Sequence, residues 1–450
     1  MKEKLYKILF YPQSLGGRKK NTGLEKFLMA SLLLLPLMDS IIGYMWTQGV
    51  RESIVFKYQA AVCAIFFTTA LVTTALSWKQ LVFLAGLVSV GASSVLINKV
   101  FLKSFVFNTY GFIGICGIAF AISIYSLIQK SFLSKDFFNR SIFYVSWLYP
   151  MSILLLYPFK IGNQSYFYGE KSFLNRGFMG FHPSSNEINA ILIVMLGYAL
   201  FRLYTHFNWH DFLAVFMNFY AAMLIQSRSS VILCTLLIIV YFIALLKNNH
   251  YKQAFVLLLG LTFCSMALMP SVCEFVSAQR IAFERSQTSG ESFWQFITNG
   301  RIERIDQERE ANGSTVQQED PGSALYSTAK LLVGTAFGNI GKNMLAEMDF
   351  IDAYKGFGIL GAFLFTGFYS WLGIQTYLRQ KHFMHVLGLL VVYAFSFATG
   401  HALFCWSPVM WLSVFAIALI EQPAGQPPYY WKYLPTWLRR WMNAADTASC

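Results

Sequence analysis

Charge is scarce in this chain. Asp, Glu, Lys and Arg make up 13% of its 450 residues, about half the share that a soluble domain carries on its surface. That shortage excludes the two or three soluble domains that the length alone would suggest. Cysteine is equally sparse, with seven residues, no CxxC pair and no Cys/His cluster of zinc-like spacing. Neither a disulfide framework nor a zinc site is expected from such a distribution. Disorder is excluded from the other direction, because apolar residues reach 56% and aromatics 17%. Much of the surface must therefore face lipid.

Runs long and apolar enough to cross a hydrocarbon core of roughly 30 Å lie at 27–44, 58–78, 81–97, 105–128, 142–159, 188–201, 212–225, 231–246, 254–269, 359–378, 386–397 and 404–420. The expected fold is an all-α polytopic membrane protein of about twelve transmembrane helices. Its expected parts are an N-terminal bundle of about nine spans (1–269), a large outer loop (270–353), about three further spans (354–421) and a tail (422–450). With the N-terminus inside, the short inner segments carry nineteen Lys and Arg against eight in the short outer loops. The positive-inside rule supports that orientation and leaves both termini cytoplasmic. Segment 270–353 carries twelve acids against seven bases. The net charge of +13 is therefore mainly cytoplasmic, suited to anionic headgroups, and nucleic acid drops out as a partner. Within the loop, 280–311 reads as helical and 312–323 as a flexible excursion.

Candidate chemistry clusters on the outer side. Arg228, in Gln226-Ser227-Arg228-Ser229-Ser230, stands in a turn so short that its guanidinium lies at the membrane surface. It either snorkels to headgroup phosphates or grips a phosphate group as a planar fork. Gly180-Phe181-His182-Pro183-Ser184-Ser185-Asn186-Glu187 reads as a helix start that also presents His182 and Asn186. Arg176 adds an outer cation, and Asn299-Gly300-Arg301-Ile302-Glu303-Arg304 offers two more guanidiniums, paired with nearby acids or free for a ligand. Leu332-Val333-Gly334 begins a small, apolar return toward the membrane. Glu347, Asp349 and Asp352 stand just before the span that starts with Gly356-Phe357-Gly358-Ile359-Leu360-Gly361. These acids either complement a helix dipole or do chemistry. They meet Arg228 only if the outer ends of spans seven, eight and ten converge. Asp39 is the only acid well inside a span.

In order and sidedness these segments resemble the O-antigen polymerase and O-antigen ligase superfamily of membrane glycosyltransferases. The likeness covers 180–361 and the span plan; the first five spans match in character only. It rests on Ser185-Asn186-Glu187 at a span start, the Ser227-Arg228-Ser229 turn, Gly300-Arg301 in the large loop, and an acidic motif before Gly358-Ile359-Leu360-Gly361. Ligases of this group carry a His-Asn motif eleven residues before that Gly-Ile-x-Gly, where this chain has Glu347. The departure favours the polymerase branch.

The resemblance implies a bacterial inner membrane and an undecaprenyl-pyrophosphate-linked oligosaccharide as substrate. The growing glycan would pass to a hydroxyl of another lipid-linked repeat on the periplasmic face. Arg228, Arg301 and Arg304 would hold the pyrophosphate, and Glu347, then Asp349, would act as base. His182, Asn186, Asp352 and Arg176 would line the glycan site. No metal or other cofactor is expected; membrane lipids are partners, and a chain-length regulator stays open as another. The alternatives are an O-antigen ligase acting on lipid A core and, from another class, a flippase or transporter of lipid-linked sugars. The transporter reading expects charges along a path through several spans, where this sequence offers Asp39 alone.

Overall fold

The computed structural model describes residues 22–50, 54–102, 109–134, 136–166, 176–205, 207–288, 321–334, 348–380, 383–398 and 402–421. Among these the chain forms fourteen α-helices: α1 (Thr22–Leu33), α2 (Leu35–Thr47), α3 (Ile54–Val72), α4 (Trp78–Leu102), α5 (Thr109–Gln129), α6 (Asp136–Leu154), α7 (Ser185–Thr205), α8 (Trp209–Ile225), α9 (Arg228–Lys247), α10 (Tyr251–Thr288), α11 (Pro321–Val333), α12 (Asp349–Gln380), α13 (Phe383–Ala398) and α14 (Trp406–Glu421). No strand occurs among the described residues; the only β-type pairings there are two isolated bridges, 163 with 180 and 166 with 176.

Eight helical segments are long and apolar enough to cross a membrane: Gly23–Thr47, Trp78–Phe101, Tyr110–Gln129, Phe137–Phe159, Ser185–Thr205, Arg228–Lys247, Tyr251–Glu284 and Asp349–Gln380. Four more apolar helices are shorter: Lys57–Val72, Trp209–Ile225, Phe383–Ser396 and Trp406–Glu421. The exterior suits lipid. Val72, Trp78, Phe263, Met266 and Phe363 each expose at least 74% of their surface, and bare apolar side chains of this size over many helices are foreign to a water-facing surface.

Two helices form the interior. Every residue of α14 is buried, and α7 is buried without interruption from Ile188 to Tyr204. A helix that is apolar all round needs neighbours on every side. Accordingly α7 packs on α6, α8, α9, α13 and α14, while α14 packs on α3, α5, α6, α7, α12 and α13. Gly197 of α7 meets Gly388 of α13, where a Cβ on either would lie 2.8 Å from the other's Cα. Small residues let backbones approach where no water drives association.

Local chemistry sets the breaks. The first apolar run is split at Leu34, with Pro36 in the opening turn of α2, because proline has no N–H to donate to the carbonyl four residues back and its ring crowds that carbonyl. Past 269 the chain stays helical as far as Thr288, and the rest of the helix expected over 280–311 lies outside the described residues. α10 runs through Pro270 for 38 residues, roughly 57 Å at 1.5 Å per residue, so its far end projects beyond a bilayer core. The expected excursion over 312–323 gives way at Pro321, which opens α11 as a proline with preset φ does at a first helical position. Positions 312–320 lie outside the described residues. α11 packs on α4 and α12, and the Ser94 hydroxyl donates to the Val333 carbonyl.

Candidate functional site

The sequence candidates among the described residues gather at one end of the bundle. Asn186 opens α7, Arg228 opens α9, Asp349 and Asp352 open α12, and Arg176 and His182 lie in the connection between α6 and α7. The opposite end of α7, roughly 30 Å away for 21 residues at 1.5 Å each, carries a separate buried ion pair, Arg202 Nε to Asp211 Oδ1 at 3.1 Å. Arg301, Arg304 and Glu347 lie outside the described residues.

Arg176 is fixed by its backbone. Tyr166 and Arg176 exchange N–H···O bonds of 3.1 Å in both directions, and the guanidinium stacks 4.7 Å from the centroid of the Tyr166 ring. Gly177 then takes φ +71°, and any Cβ there would lie 2.4 Å from the Ile225 carbonyl oxygen. The Phe178 N–H donates to Leu224 O at 2.8 Å, satisfying a carbonyl that α8 leaves without an intrahelical partner. This docking sets Arg176 beside the Gln226-Ser227-Arg228 turn. Between them lies a cavity of about 910 Å³, lined by Arg176, Lys160, Asn163, Gln164, Gln226 and Glu274 together with aromatic and backbone atoms. Gln226 Nε2 donates to the Glu274 carboxylate at 2.9 Å and to Ser271 O at 3.1 Å. Arg228 is half-buried at the end of the same turn, its Nε donating to Gln279 Oε1.

His182 sits on the inner side of this connection. Its ring is 1% exposed and meets the Ser152 hydroxyl through Nε2 at 2.8 Å. Burial lowers its pKa from 6.5 to about 3, so the imidazole is neutral at physiological pH. Its carbonyl accepts from Asn163 Nδ2 at 3.2 Å, which ties it to the cavity wall. Tyr149 stacks nearby, with centroids 5.9 Å apart, and its hydroxyl donates to Asp39 Oδ2 at 2.6 Å. Asp39 Oδ1 accepts from Gln59 at 2.7 Å and from Ser407 at 2.9 Å. Asp39 is thus a junction between α2, α3, α6 and α14.

Asp349 is also enclosed. Its Oδ2 accepts from the N–H groups of Ala402 and Leu403, at 2.8 and 2.9 Å, and from the Ser396 hydroxyl. Charge-assisted bonds of that number hold a carboxylate strongly and anchor the start of α14 to the start of α12. Asp352 accepts from the Met348 N–H at 3.1 Å, closing the first turn of α12. The Cys405 thiol hydrogen-bonds Glu187, which brings the first turn of α7 to the same junction. Arg228 and Asp349 therefore share an end of the bundle but hold different neighbours. Gly358 breaks α12 with φ +63° and ψ −165°, and its backbone lies so close to Gly334 that a Cβ would be 2.5 Å from the Gly334 nitrogen.

Sequence reasoning missed Lys160, Gln164, Gln226 and Glu274 as members of one cavity. Glu274 counted as the first acid of a loop, whereas it belongs to a continuous helix; only the apolar spacing across Pro270 could have signalled that. Among the described residues no group of three His, Cys, Asp or Glu side chains stands in position to hold a metal ion. No protein-family model, curated protein or solved structure matches this chain.

Proposed function

We propose that this chain is a membrane glycosyltransferase that polymerises lipid-linked oligosaccharide repeats, with its reaction centre at the end of the bundle where α7, α9 and α12 begin. One observation carries the reading. Residues drawn from four separate segments of sequence as candidates for this chemistry, Arg176, His182, Asn186, Arg228, Asp349 and Asp352, fall at the same end of the bundle, where Arg176 lines a cavity of about 910 Å³.

In the proposed step an acceptor hydroxyl attacks the anomeric carbon of the donor glycan. A glycosidic C–O bond forms, the C–O bond to undecaprenyl pyrophosphate breaks, and its electron pair leaves with the pyrophosphate. In-line attack inverts the anomeric centre. Arg228, with Arg301 and Arg304, stabilises the leaving charge. Glu347 takes the hydroxyl proton. Asp349, the second candidate, has its Oδ2 engaged by three donors, so its part in this reading is to position the stretch that carries Glu347. The proposed twelve-span topology puts this centre, and the long segment after α10, on the periplasmic face of an inner membrane.

The test uses purified protein in lipid, supplied with a lipid-linked repeat unit and no nucleotide sugar. A ladder of lengthening products that vanishes with Arg228→Ala and with Glu347→Gln is the expected result. Transfer only after a lipid A-core acceptor is added would make the chain a ligase. Inertness in both assays, with substrate crossing the bilayer, would make it a transporter.

A further inference from the structure

We infer that the cavity beside Arg176 takes a carboxylate-bearing sugar of the repeat unit, so that the substrate class is an acidic glycan. The inference rests on the glycosyltransferase reading for its context but on the cavity for its chemistry.

Arg176 is 7% exposed, its Nε has no hydrogen-bond partner among the described residues, and no ion pair engages it there. A guanidinium so enclosed is costly unless an anion meets it. The Tyr166 ring at 4.7 Å covers one face of the fork and leaves its edge for a ligand. The charge count then separates the candidate anions. Among the described residues, Arg176 and Lys160 bring two positive charges to the wall and Glu274 brings one negative, a net of one. A pyrophosphate would bring two or more negative charges against Glu274, whereas a monocarboxylate balances the wall.

The remaining lining suits the rest of a sugar. Asn163, Gln164 and Gln226 add amide groups to the wall, with Gln226 Nε2 held by Glu274 and Ser271 O. Tyr157, which carries the Lys160 ammonium 3.7 Å over its ring, and Phe178, 5.5 Å from it between centroids, give the wall an aromatic corner. The volume of about 910 Å³ lies within the range of small-ligand sites, roughly 300–1,000 Å³.

The test is binding without turnover. The full chain is placed in nanodiscs of zwitterionic lipid and titrated with a disaccharide containing glucuronic acid, with its glucose counterpart, and with inorganic pyrophosphate. The acidic disaccharide should bind roughly tenfold or more tightly than the neutral one, the gain of a charge-assisted pair. Arg176→Gln should erase that preference. Glu274→Gln, a milder change, should keep the preference and raise pyrophosphate affinity severalfold, which keeps the idea testable if Arg176→Gln does not fold. Equal binding of both disaccharides would overturn it. So would tight binding of pyrophosphate that Arg176→Gln abolishes, or loss of the acidic preference when phosphatidylglycerol is added, which would assign the cavity to a headgroup. Polymerisation of repeats without an acidic preference would sink this inference alone, and an acidic preference in a protein that joins no repeats would sink the glycosyltransferase reading alone.

Discussion

Protonating His182 is the perturbation whose cost follows most directly from the structure. The ring is 1% exposed, its Nε2 meets a neutral hydroxyl, Ser152 Oγ, at 2.8 Å, and its ring neighbour is Tyr149 at 5.9 Å. Burial moves its pKa from 6.5 to about 3. Above pH 6.5 folded and unfolded chains both hold a neutral imidazole, so stability is whole. Below it the unfolded chain binds a proton that the folded chain refuses, and stability falls as pH drops toward the folded value. The slope is about 1.4 kcal/mol per pH unit, which makes about 2 kcal/mol between pH 7.5 and 5. The assay is thermal unfolding of detergent-purified protein across that range, with His182→Gln beside the wild type. Glutamine keeps a partner for Ser152 and cannot take the proton. Groups that titrate in both proteins cancel, so the wild type should lose about 2 kcal/mol more than the variant. Parallel losses would mean that folded His182 accepts a proton freely, and would refute its assignment as an enclosed neutral ring.

Gly358→Ala forces a Cβ to within 2.5 Å of the Gly334 nitrogen at a positive φ and should cost roughly 3 kcal/mol or more. Gly367→Ala, in the same helix with nothing within 4 Å, should be neutral or stabilising by up to about 1 kcal/mol; equal melting temperatures for the two variants would contradict the tight crossing. Asp39→Leu leaves the Tyr149, Gln59 and Ser407 donors without their acceptor and should cost about 3 kcal/mol. Asp39→Asn keeps one acceptor and should cost less by the same melting assay, while equal losses would argue against a hydrogen-bonded junction. Asp349→Ala should lower the melting temperature by the loss of about 2–4 kcal/mol, because three donors lose their acceptor. Glu347→Gln should leave melting unchanged and reduce turnover by roughly 10²–10⁴; the opposite pattern would exchange the two roles.

How much of this was legible in sequence depends on how local each cause is. The apolar runs were readable because lipid demands them residue by residue, and eight of the resulting helical segments have membrane-spanning length. Pro183-Ser184-Ser185-Asn186 read as a helix start, and α7 begins within it at Ser185. Pro36 acts through its own ring, and reading it as an N-terminal signal would have placed the break before α2. The site was less legible because its contacts are long-range. Asp39 stood out as a lone acid, but its partners lie 20, 110 and 368 positions away. Gly358 was visible in its motif, whereas its need to be glycine comes from Gly334 crossing it. Arg176 carried no local signal that would seat it on Tyr166 beside α8, since that placement depends on an irregular backbone pairing. Glu274 was hidden by an apparent loop boundary that the helix ignores.

The central claim, transfer of a glycan from one lipid pyrophosphate to another repeat, is tested most directly by counting leaving groups. Purified protein in lipid is given a radiolabelled lipid-linked repeat, and released undecaprenyl pyrophosphate is measured against glycosidic bonds formed. The account predicts one released per bond and none of either with Arg228→Ala. Bonds formed without release of the lipid pyrophosphate, or wild-type rates in that variant, would contradict it.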